Sequence, residues 1–356
     1  MAGKRQYDAI VIGAGPAGAL AAGTLAARDV RTLMVDKSVQ GRWKVCGCCL
    51  GELGQRVLSD LGLSDRVLRA AEPLRRIMLA AGGKQVDLGL PGFVSISRES
   101  LDAALVAVAQ ERGVETRWNT TATIHADGRV QAGGEELLAG VVIDASGLRS
   151  HARRVAKSGR IGLGMTAEVA GGISDVLTMA VARGGYVGRV ELPDGRTDFA
   201  MAATPAFVRQ AGSPTEAARS IYRHAGLDPA EVPDGRWHGT PVLTRQARAQ
   251  EGRILRVGDA AGYVEPFTGE GMSWALLGGS RIADDAMACA EHGPDASNWP
   301  AKLHSLLAAR QARCRAVSIA VRSPGLLRTA IGLASMSPGI GTAGAGMLSG
   351  SRRSVA

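Results

Sequence analysis

Three clusters of residues in this chain have the types and spacing to do chemistry. In Gly13-Ala14-Gly15-Pro16-Ala17-Gly18, Gly13 permits a tight turn and Gly15 lets a pyrophosphate approach the backbone, while Gly18 lets a helix pack closely on a strand. Asp36, further on, is placed to accept hydrogen bonds from a ribose, so loop and acid together read as a dinucleotide site without choosing the dinucleotide. Cys46-Gly47-Cys48-Cys49 packs three thiols into four residues. Gly258-Asp259, followed by Pro266 and then Gly269-Glu270-Gly271-Met272, sets a carboxylate and a run of small residues at the approach to a helix.

The cysteines admit three readings. Cys-x-Cys-Cys is too compressed for one tetrahedral zinc, and no His or Cys follows at ligand spacing, so no metal is expected. A dithiol redox centre normally shows Cys-x-x-Cys. A loop of small side chains pressed against a flat cofactor fits best. Glu270 reads equally as a carboxylate capping a helix N-terminus and as a group that orients a ligand or delivers a proton.

These residues need elements to hold them. An apolar run over 9–12 predicts a strand buried on both faces, 17–27 a helix of small residues, and 31–35 a second strand ending at Asp36. The amides at the helix start then face the diphosphate. Gly339-Ile340-Gly341-Thr342-Ala343-Gly344 repeats the glycine spacing, but no strand precedes it and no acid follows, so it reads as a flexible tail. The cysteine loop enters a helix over 52–61. Strands over 76–80 and 85–88 flank Gly82-Gly83. Ser97 caps an amphipathic helix that ends at Gly113, with Leu101, Leu105, Val106 and Val108 on its apolar face. Arg98 sits in its first turn, where a cation opposes the helix dipole; it either contacts a cofactor or is simply solvated.

Strands are expected over 114–118, 122–126, 129–132 and 137–143, the last running into Asp144-Ala145-Ser146-Gly147. Four more runs over 164–170, 177–182, 186–192 and 197–202 predict a sheet-based insertion that would wall a substrate. A helix over 215–224 follows, and 236–243 returns towards the first unit. The strand over 254–257 meets Gly258-Asp259, and Asp259 can hold a ribityl hydroxyl. A long helix over 273–290 presents its positive end to whatever lies above. Residues 299–321 read as helical and basic.

With both glycine motifs in place, the chain resembles the FAD-dependent oxidoreductases of the para-hydroxybenzoate-hydroxylase fold, specifically their geranylgeranyl reductase branch, over about residues 5–320. The resemblance implies an α/β fold: a Rossmann-like FAD-binding domain with an interleaved antiparallel-sheet substrate domain and a helical C-terminus. The boundaries expected are 1–75, 97–160 and 245–295 for the FAD-binding domain, 76–96 and 161–244 for the substrate domain, and 296–356 for a basic C-terminal segment. FAD would be held by Gly13, Gly15, Pro16, Ala17, Gly18, Asp36, Lys37, Arg42, Cys46, Gly47, Cys48, Cys49, Arg98, Ala145, Ser146, Gly147, Gly258, Asp259, Pro266, Gly269, Glu270, Gly271 and Met272. Lys44-Val45-Cys46-Gly47 looks like the branch's cysteine–glycine loop beside the flavin, which makes Cys46, Cys48 and Glu270 the catalytic candidates.

The chain also departs from the family it resembles. Related hydroxylases carry Asp-Gly where this chain has Ser146-Gly147, a form seen in reductases and halogenases. The Trp-x-Trp-x-Ile-Pro segment of halogenases is not found, and Gly185-Tyr186-Val187-Gly188-Arg189 occupies the place of the reductases' prenyl-binding elements. The leading expectation is hydride transfer at flavin N5 that reduces a carbon–carbon double bond of an apolar, prenyl-, lipid- or polyketide-like substrate. Hydroxylation of an aromatic substrate is the second. The third is a redox flavoprotein without a small substrate, its Cys48-Cys49 pair forming an easily reduced disulfide. NAD(P)H or another donor supplies the electrons, and no second nucleotide motif marks which.

Composition limits the rest. With 46% hydrophobic and 21% charged residues, the chain reads as an ordinary globular protein. Its five cysteines do not form a secreted disulfide pattern, no leader or membrane span is evident, and the cytoplasm is the expected location. Eight of the 42 basic residues fall in 301–356, where there is no Asp or Glu, leaving 34 against 33 acids elsewhere. The excess of +9 therefore belongs to the tail, and a nucleic-acid partner is not expected. The tail reads either as a packed helix that frays or as a weak, salt-sensitive peripheral contact with an anionic membrane surface.

Overall fold

β1 (Tyr7–Ile12) is buried along nearly its whole length, as a strand in the middle of a parallel sheet must be. In the computed structural model, described over residues 5–150, 159–169, 175–265, 267, 269–321, 325, 327–329, 331 and 332, it is followed by α1 (Pro16–Ala26) and β2 (Thr32–Val35). The chain then makes a two-residue strand β3 (Cys49–Leu50), helices α2 (Glu52–Asp60) and α3 (Ser64–Val67), and a long ribbon of β4 (Glu72–Ala81) and β5 (Lys84–Ser95). The ladder of this ribbon is interrupted between Leu74 and Arg76, opposite Pro91, which cannot donate a ladder hydrogen bond. Helix α4 (Arg98–Glu111) returns to the first sheet with Ser97 as its N-cap, the hydroxyl accepting from Ser100 N.

After β6 (Glu115–Arg117) comes a small meander, β7 (Ala122–Ile124), β8 (Val130–Ala132) and β9 (Glu135–Leu137), and then β10 (Ala139–Asp144). The strand expected over 137–143 is thus two strands. They part at Leu138, whose carbonyl leaves the ladder to accept from Gln6 N and Tyr7 N. The second large sheet is built from β11 (Ile161–Glu168), β12 (Val176–Ala182), β13 (Gly185–Glu191) and β14 (Arg196–Ala203). Helices α5 (Pro205–Ala211) and α6 (Pro214–Ala225) follow, and β15 (His238–Val242) pairs with β11 as the sheet's edge strand.

The last part of the chain completes the first sheet. β16 (Arg245–Gln246) pairs with β19 (Gly262–Tyr263), and β17 (Gln250–Glu251) pairs with β18 (Ile254–Arg256). The helix expected over 273–290 is two, α7 (Gly271–Arg281) and α8 (Ala283–His292), separated at the fully buried Ile282. Helix α9 (Trp299–Val321) covers the span expected for it. The glycine-rich stretch over 339–344 lies outside the described residues.

Two sheets result. One has strand order β17-β18-β10-β1-β2-β6 and is parallel apart from the β17–β18 pair. The other has order β15-β11-β14-β13-β12-β4-β5-β3 and is antiparallel apart from β4–β12. Helices α1, α4, α7 and α8 pack on one face of the first, burying Leu20, Leu25, Leu105 and Leu276 completely or nearly so. Each such side chain contributes roughly 1.5–3 kcal/mol. The α1–α7 contact is close because Gly279 has no side chain; a Cβ there would lie 2.5 Å from Ala17 O. Helix α6 covers one face of the second sheet with Ile221 and Tyr222. Leu79, Met179, Val181 and Tyr186 on the other face meet Phe267, Val321 and Ile331.

Candidate active site

The glycine loop closes at the C-terminal end of β1. Gly13 has φ +105°, and its N–H donates to Val35 O at 2.8 Å; a Cβ there would lie 2.4 Å from Ala145 O. At Gly18 a Cβ would lie 1.9 Å from Gly13 O, so α1 approaches the loop as closely as backbones can. Gly15 is different: its Cβ position meets only Arg98 Nη2, at 3.5 Å, so the loop's outer surface stays open. Helix α1 starts with Pro16 and has neither a side-chain cap nor an acid in its first turn. Its first amides therefore need an anionic or acceptor partner, and a diphosphate fits them. Asp36 is fixed at the end of β2, Oδ2 accepting from Ala14 N and Oδ1 from Ser38 N, both at 2.8 Å.

A cavity of about 1120 Å³ runs from this loop to the underside of the second sheet. It gathers Gly13, Gly15, Pro16, Ala17, Asp36, Lys37, Arg42, Cys46, Gly47, Cys48, Cys49, Arg98, Ala145, Ser146, Gly147, Gly258, Asp259, Gly269, Gly271 and Met272 from segments far apart in sequence. Gly18 is not in its wall but behind it, where strand and helix pack. Pro266 lies outside the described residues. Glu270 also stands apart: its Oε1 accepts from Arg313 Nη2 of α9 at 2.9 Å, and its side chain makes no cap on α7. Its backbone carbonyl accepts from Trp274 N.

Beyond the loop the wall turns apolar, with Leu163, Met165, Leu177, Met179, Tyr186 and Phe267. Tyr186 meets Phe267 edge to face at 4.9 Å, and the Arg160 guanidinium lies 5.4 Å from the Tyr186 ring. Arg160 is paired with the buried Glu265 at 2.8 Å. Cys314 and Ser318 of α9 donate to the Glu265 carbonyl, which ties the C-terminal helix to the segment leading into α7. At the other side Trp43 packs on His238, with ring centroids 5.1 Å apart.

Electrostatics are concentrated at the cysteine loop. Arg98 is held cationic although burial opposes its charge: Asp102 lies beside it, and Cys46 and Asp259 add to the effect. Nε and Nη2 of Arg98 and Nζ of Lys44 all donate to the Asp102 carboxylate. This explains the cation in the first turn of α4. Cys46 accepts from Cys48 N at 3.4 Å. The Cys48 thiol, followed by Arg98, lowers the Cys46 thiol to about 6 against the pull of burial. Cys48 has a left-handed backbone, φ +50°, and its thiol is raised by the neighbouring Cys46 and by burial. Burial likewise raises Cys49. Asp259, far from bulk water though open to the cavity, is raised by burial to about 6 while Arg98 and Arg245 pull it down. Among the described residues no group of His, Cys, Asp or Glu is arranged to hold a metal ion.

Two acids at the site were not found by reading the sequence. Asp102 carried a signal, since it lies four residues after Arg98 on a helix and so on the same face. Asp198, buried in β14, carried none, because its importance comes from a loop folded over it.

A parallel sheet with a diphosphate-shaped glycine loop, an acid after β2, a Gly-Asp turn after β18 and a second sheet closing the chamber define an FAD-dependent oxidoreductase. The chain belongs to the family of the FAD binding domain, which matches residues 6–277, and within it to the geranylgeranyl reductase branch. It is 30% identical over 315 residues to the geranylgeranyl diphosphate reductase of Rhodobacter capsulatus, spanning 82% of this chain and 78% of that one. It is 28% identical over 307 residues to the digeranylgeranylglycerophospholipid reductase 1 of Methanopyrus kandleri, spanning 79% and 80%. The fold is shared with a geranylgeranyl bacteriochlorophyll reductase-like protein of Thermoplasma acidophilum, at TM-score 0.76 and 19% identity over 94% and 93% of the two chains. No helix among the described residues is long and apolar enough to cross a membrane.

Proposed function

We propose that this enzyme reduces carbon–carbon double bonds of a prenyl chain, using FAD held along the glycine loop. The observation that carries the reading is the continuity of the cavity between the diphosphate-shaped loop and an apolar chamber. Sites of this kind take apolar ligands and orient them with a few polar groups. When bound, FAD supplies the hydride, from N5, to one carbon of the double bond.

The chain's residues would do the rest. Gly13, Gly15 and the α1 amides hold the diphosphate, Asp36 the ribose, and Asp259 a ribityl hydroxyl. Arg98 faces the diphosphate beside Gly15. Gly269, Gly271 and Met272 bring the positive end of α7 to the chamber, where negative charge is stabilised. Cys46 stands at the chamber wall as an ionisable group, and Met179, Tyr186 and Phe267 give the chamber an apolar lining that excludes water. Residues 1–75, 97–160 and 245–295 form the cofactor unit in this reading, and 76–96 and 161–244 the substrate unit. The donor is NAD(P)H or a protein carrier, and the basic C-terminal segment makes a weak contact with the membrane that holds the substrate.

The purified protein should be yellow and release FAD on denaturation. Reduced anaerobically and given a geranylgeranyl lipid or diphosphate, it should add two hydrogens per double bond by mass spectrometry. Asp36→Ala and Asp259→Ala should each weaken FAD binding by about 1.5–3 kcal/mol. Oxygen-dependent hydroxylation of an aromatic compound, with no saturation of the prenyl chain, would replace this reading with a monooxygenase. Colourless protein that binds NAD and not FAD would remove both.

A further inference from the structure

Asp198 lies on β14 opposite Thr166 of β11 and Val190 of β13, with 1% of its surface exposed. Neither carboxyl oxygen has a well-formed hydrogen bond among the described residues, and the Cys48 thiol is the polar group that approaches them. A buried polar group left in this state costs about 1–3 kcal/mol, and more if it is charged. Such a group calls for a use, and the cysteine loop that covers it suggests one.

Gly47 lies over Ala200, two residues along β14 on the same face; a Cβ on Gly47 would be 3.9 Å from Ala200 Cβ. Val45 and Trp43 press on Gly164 of β11 in the same way. Cys48, 3% exposed, adjoins the Asp198 carboxyl, and its N–H donates to Cys46 Sγ. Cys46 in turn lines the chamber. The Asp198 carboxyl thus lies beneath two neighbouring thiols, both of which reach the cavity wall.

We propose that Asp198 is a positioning residue that stores a proton and, through Cys48, returns it to Cys46 in each turnover. This rests on the reductase reading above and names the source of its second hydrogen. The resting Cys46 thiolate takes the Cys48 proton as Cys48 takes the proton of the Asp198 carboxyl. The Cys46 S–H so formed gives its proton to the carbon that does not receive the hydride, which restores the thiolate. The π pair and the hydride pair become the two new C–H bonds, so no thiol is oxidised. The Asp198 carboxylate is reprotonated from solvent when product leaves. Moving the proton between Asp198 and Cys46 leaves the net charge of the cluster unchanged; its delivery to the substrate carbon adds one negative charge, which the proton from solvent then removes.

The charge balance agrees with this. Burial, and then the neighbouring Cys46, hold the Asp198 carboxyl well above the usual carboxylate range, while the Cys48 thiol opposes them. Burial without a charged partner favours the neutral Asp198 carboxyl, and the lowered Cys46 favours its thiolate. Other groups act on the pair: Arg98 of α4 favours the Cys46 thiolate, and Tyr263 and Cys49 lie near it. Glu99 of α4 and Arg196 of β14 reach Asp198 with opposite signs and are paired with each other at 3.2 Å.

The test uses holoenzyme carrying FAD. Wild type should show the carbonyl stretch of a protonated carboxylic acid at neutral pH in infrared difference spectra, and D198N should lack it. Oxidation of the reduced enzyme by a geranylgeranyl substrate should slow about 10²-fold or more in D198N and in C48A, the loss expected when a positioned proton source is removed. C48S, which keeps a relaying hydroxyl, should recover most of the rate. Reduction of the enzyme by its electron donor should be unchanged in D198N. No acid band in wild type, or D198N oxidised at the wild-type rate, overturns the proposal. If D198N does not fold, the wild-type band and the C48A–C48S pair decide. If no prenyl substrate is reduced by any form, the reductase reading fails separately, and the band still shows whether Asp198 stores a proton.

Discussion

Arg98 grips Asp102 from one turn away on α4, Nε to Oδ1 at 3.0 Å and Nη2 to Oδ2 at 2.9 Å, and Lys44 adds a third contact to the same carboxylate at 2.8 Å. Only 5% of the Asp102 side chain is exposed, so its charge depends on these partners. Asp102→Asn strands two cations, and Arg98→Ala leaves the carboxylate with Lys44 alone. Each should destabilise the protein by about 3–5 kcal/mol, as removal of one member of a buried pair does, read as a shift in the urea midpoint at constant slope. Arg98→Ala should also raise the Cys46 thiol, because the nearby positive charge is lost.

Cys46 should alkylate with a pH midpoint near about 6, well below that of an ordinary thiol. The sign follows from its lowered value: thiolate above the midpoint, protonated and unreactive below it. Cys48 and Cys49, both raised and buried, should stay unmodified over the same range. Mass spectrometry of iodoacetamide-treated protein after digestion reads all three sites. Modification of Cys49 before Cys46 would contradict this ordering.

Glu270 and Arg313 join the start of α7 to α9 at 2.9 Å, with Glu270 buried and Arg313 about a third exposed. Glu270→Gln and Arg313→Ala should each cost roughly 1–3 kcal/mol of stability. Their double variant should lose less than the sum, since they share one contact. If Glu270 instead delivers a proton, Glu270→Gln should abolish turnover with stability intact while Arg313→Ala leaves turnover alone. Thermal melts and turnover, measured on the same three proteins, separate the two roles.

Membrane contact through the basic segment should appear as co-sedimentation with anionic liposomes that weakens with salt and is missing with neutral ones. Ile331 is buried against the second sheet and Leu327 packs beside it, so a chain cut at Val321 would lose core contacts as well as charge. Replacing Arg315, Arg328, Arg352 and Arg353 by Ser is the cleaner comparison. Equal binding by both proteins, or binding indifferent to lipid charge, would leave the segment a purely structural one.

The cofactor half of the site was legible because its signals are local. Gly13, Gly18 and Asp36 owe their placement to a strand, a turn and a helix that follow one another, and β1, α1 and β2 lie within two residues of where the pattern puts them. The Ser97 cap and the span of α9 were legible for the same reason. The α5 helix had signals that were passed over: Thr204 caps it, Pro205 opens it and Gly212 stops it. The break at Leu138 and the edge strand β15 were not legible, since both depend on partners far away in the chain. So does Asp198, which becomes unusual only when Gly47 and Cys48 fold across it.

The parallel pairing of β4 with β12 and of β10 with β18 also governs how the protein is made. A strand synthesised at residues 72–81 waits for 176–182 before its free edge is covered, and the edge of β10 waits for 254–256. Such long-range parallel pairings form slowly, and uncovered edges attract other chains meanwhile. During translation, then, neither sheet is complete until well over half of the polypeptide has left the ribosome. The strands are born in one order and joined in another, and the nascent chain is most vulnerable to aggregation in the interval between.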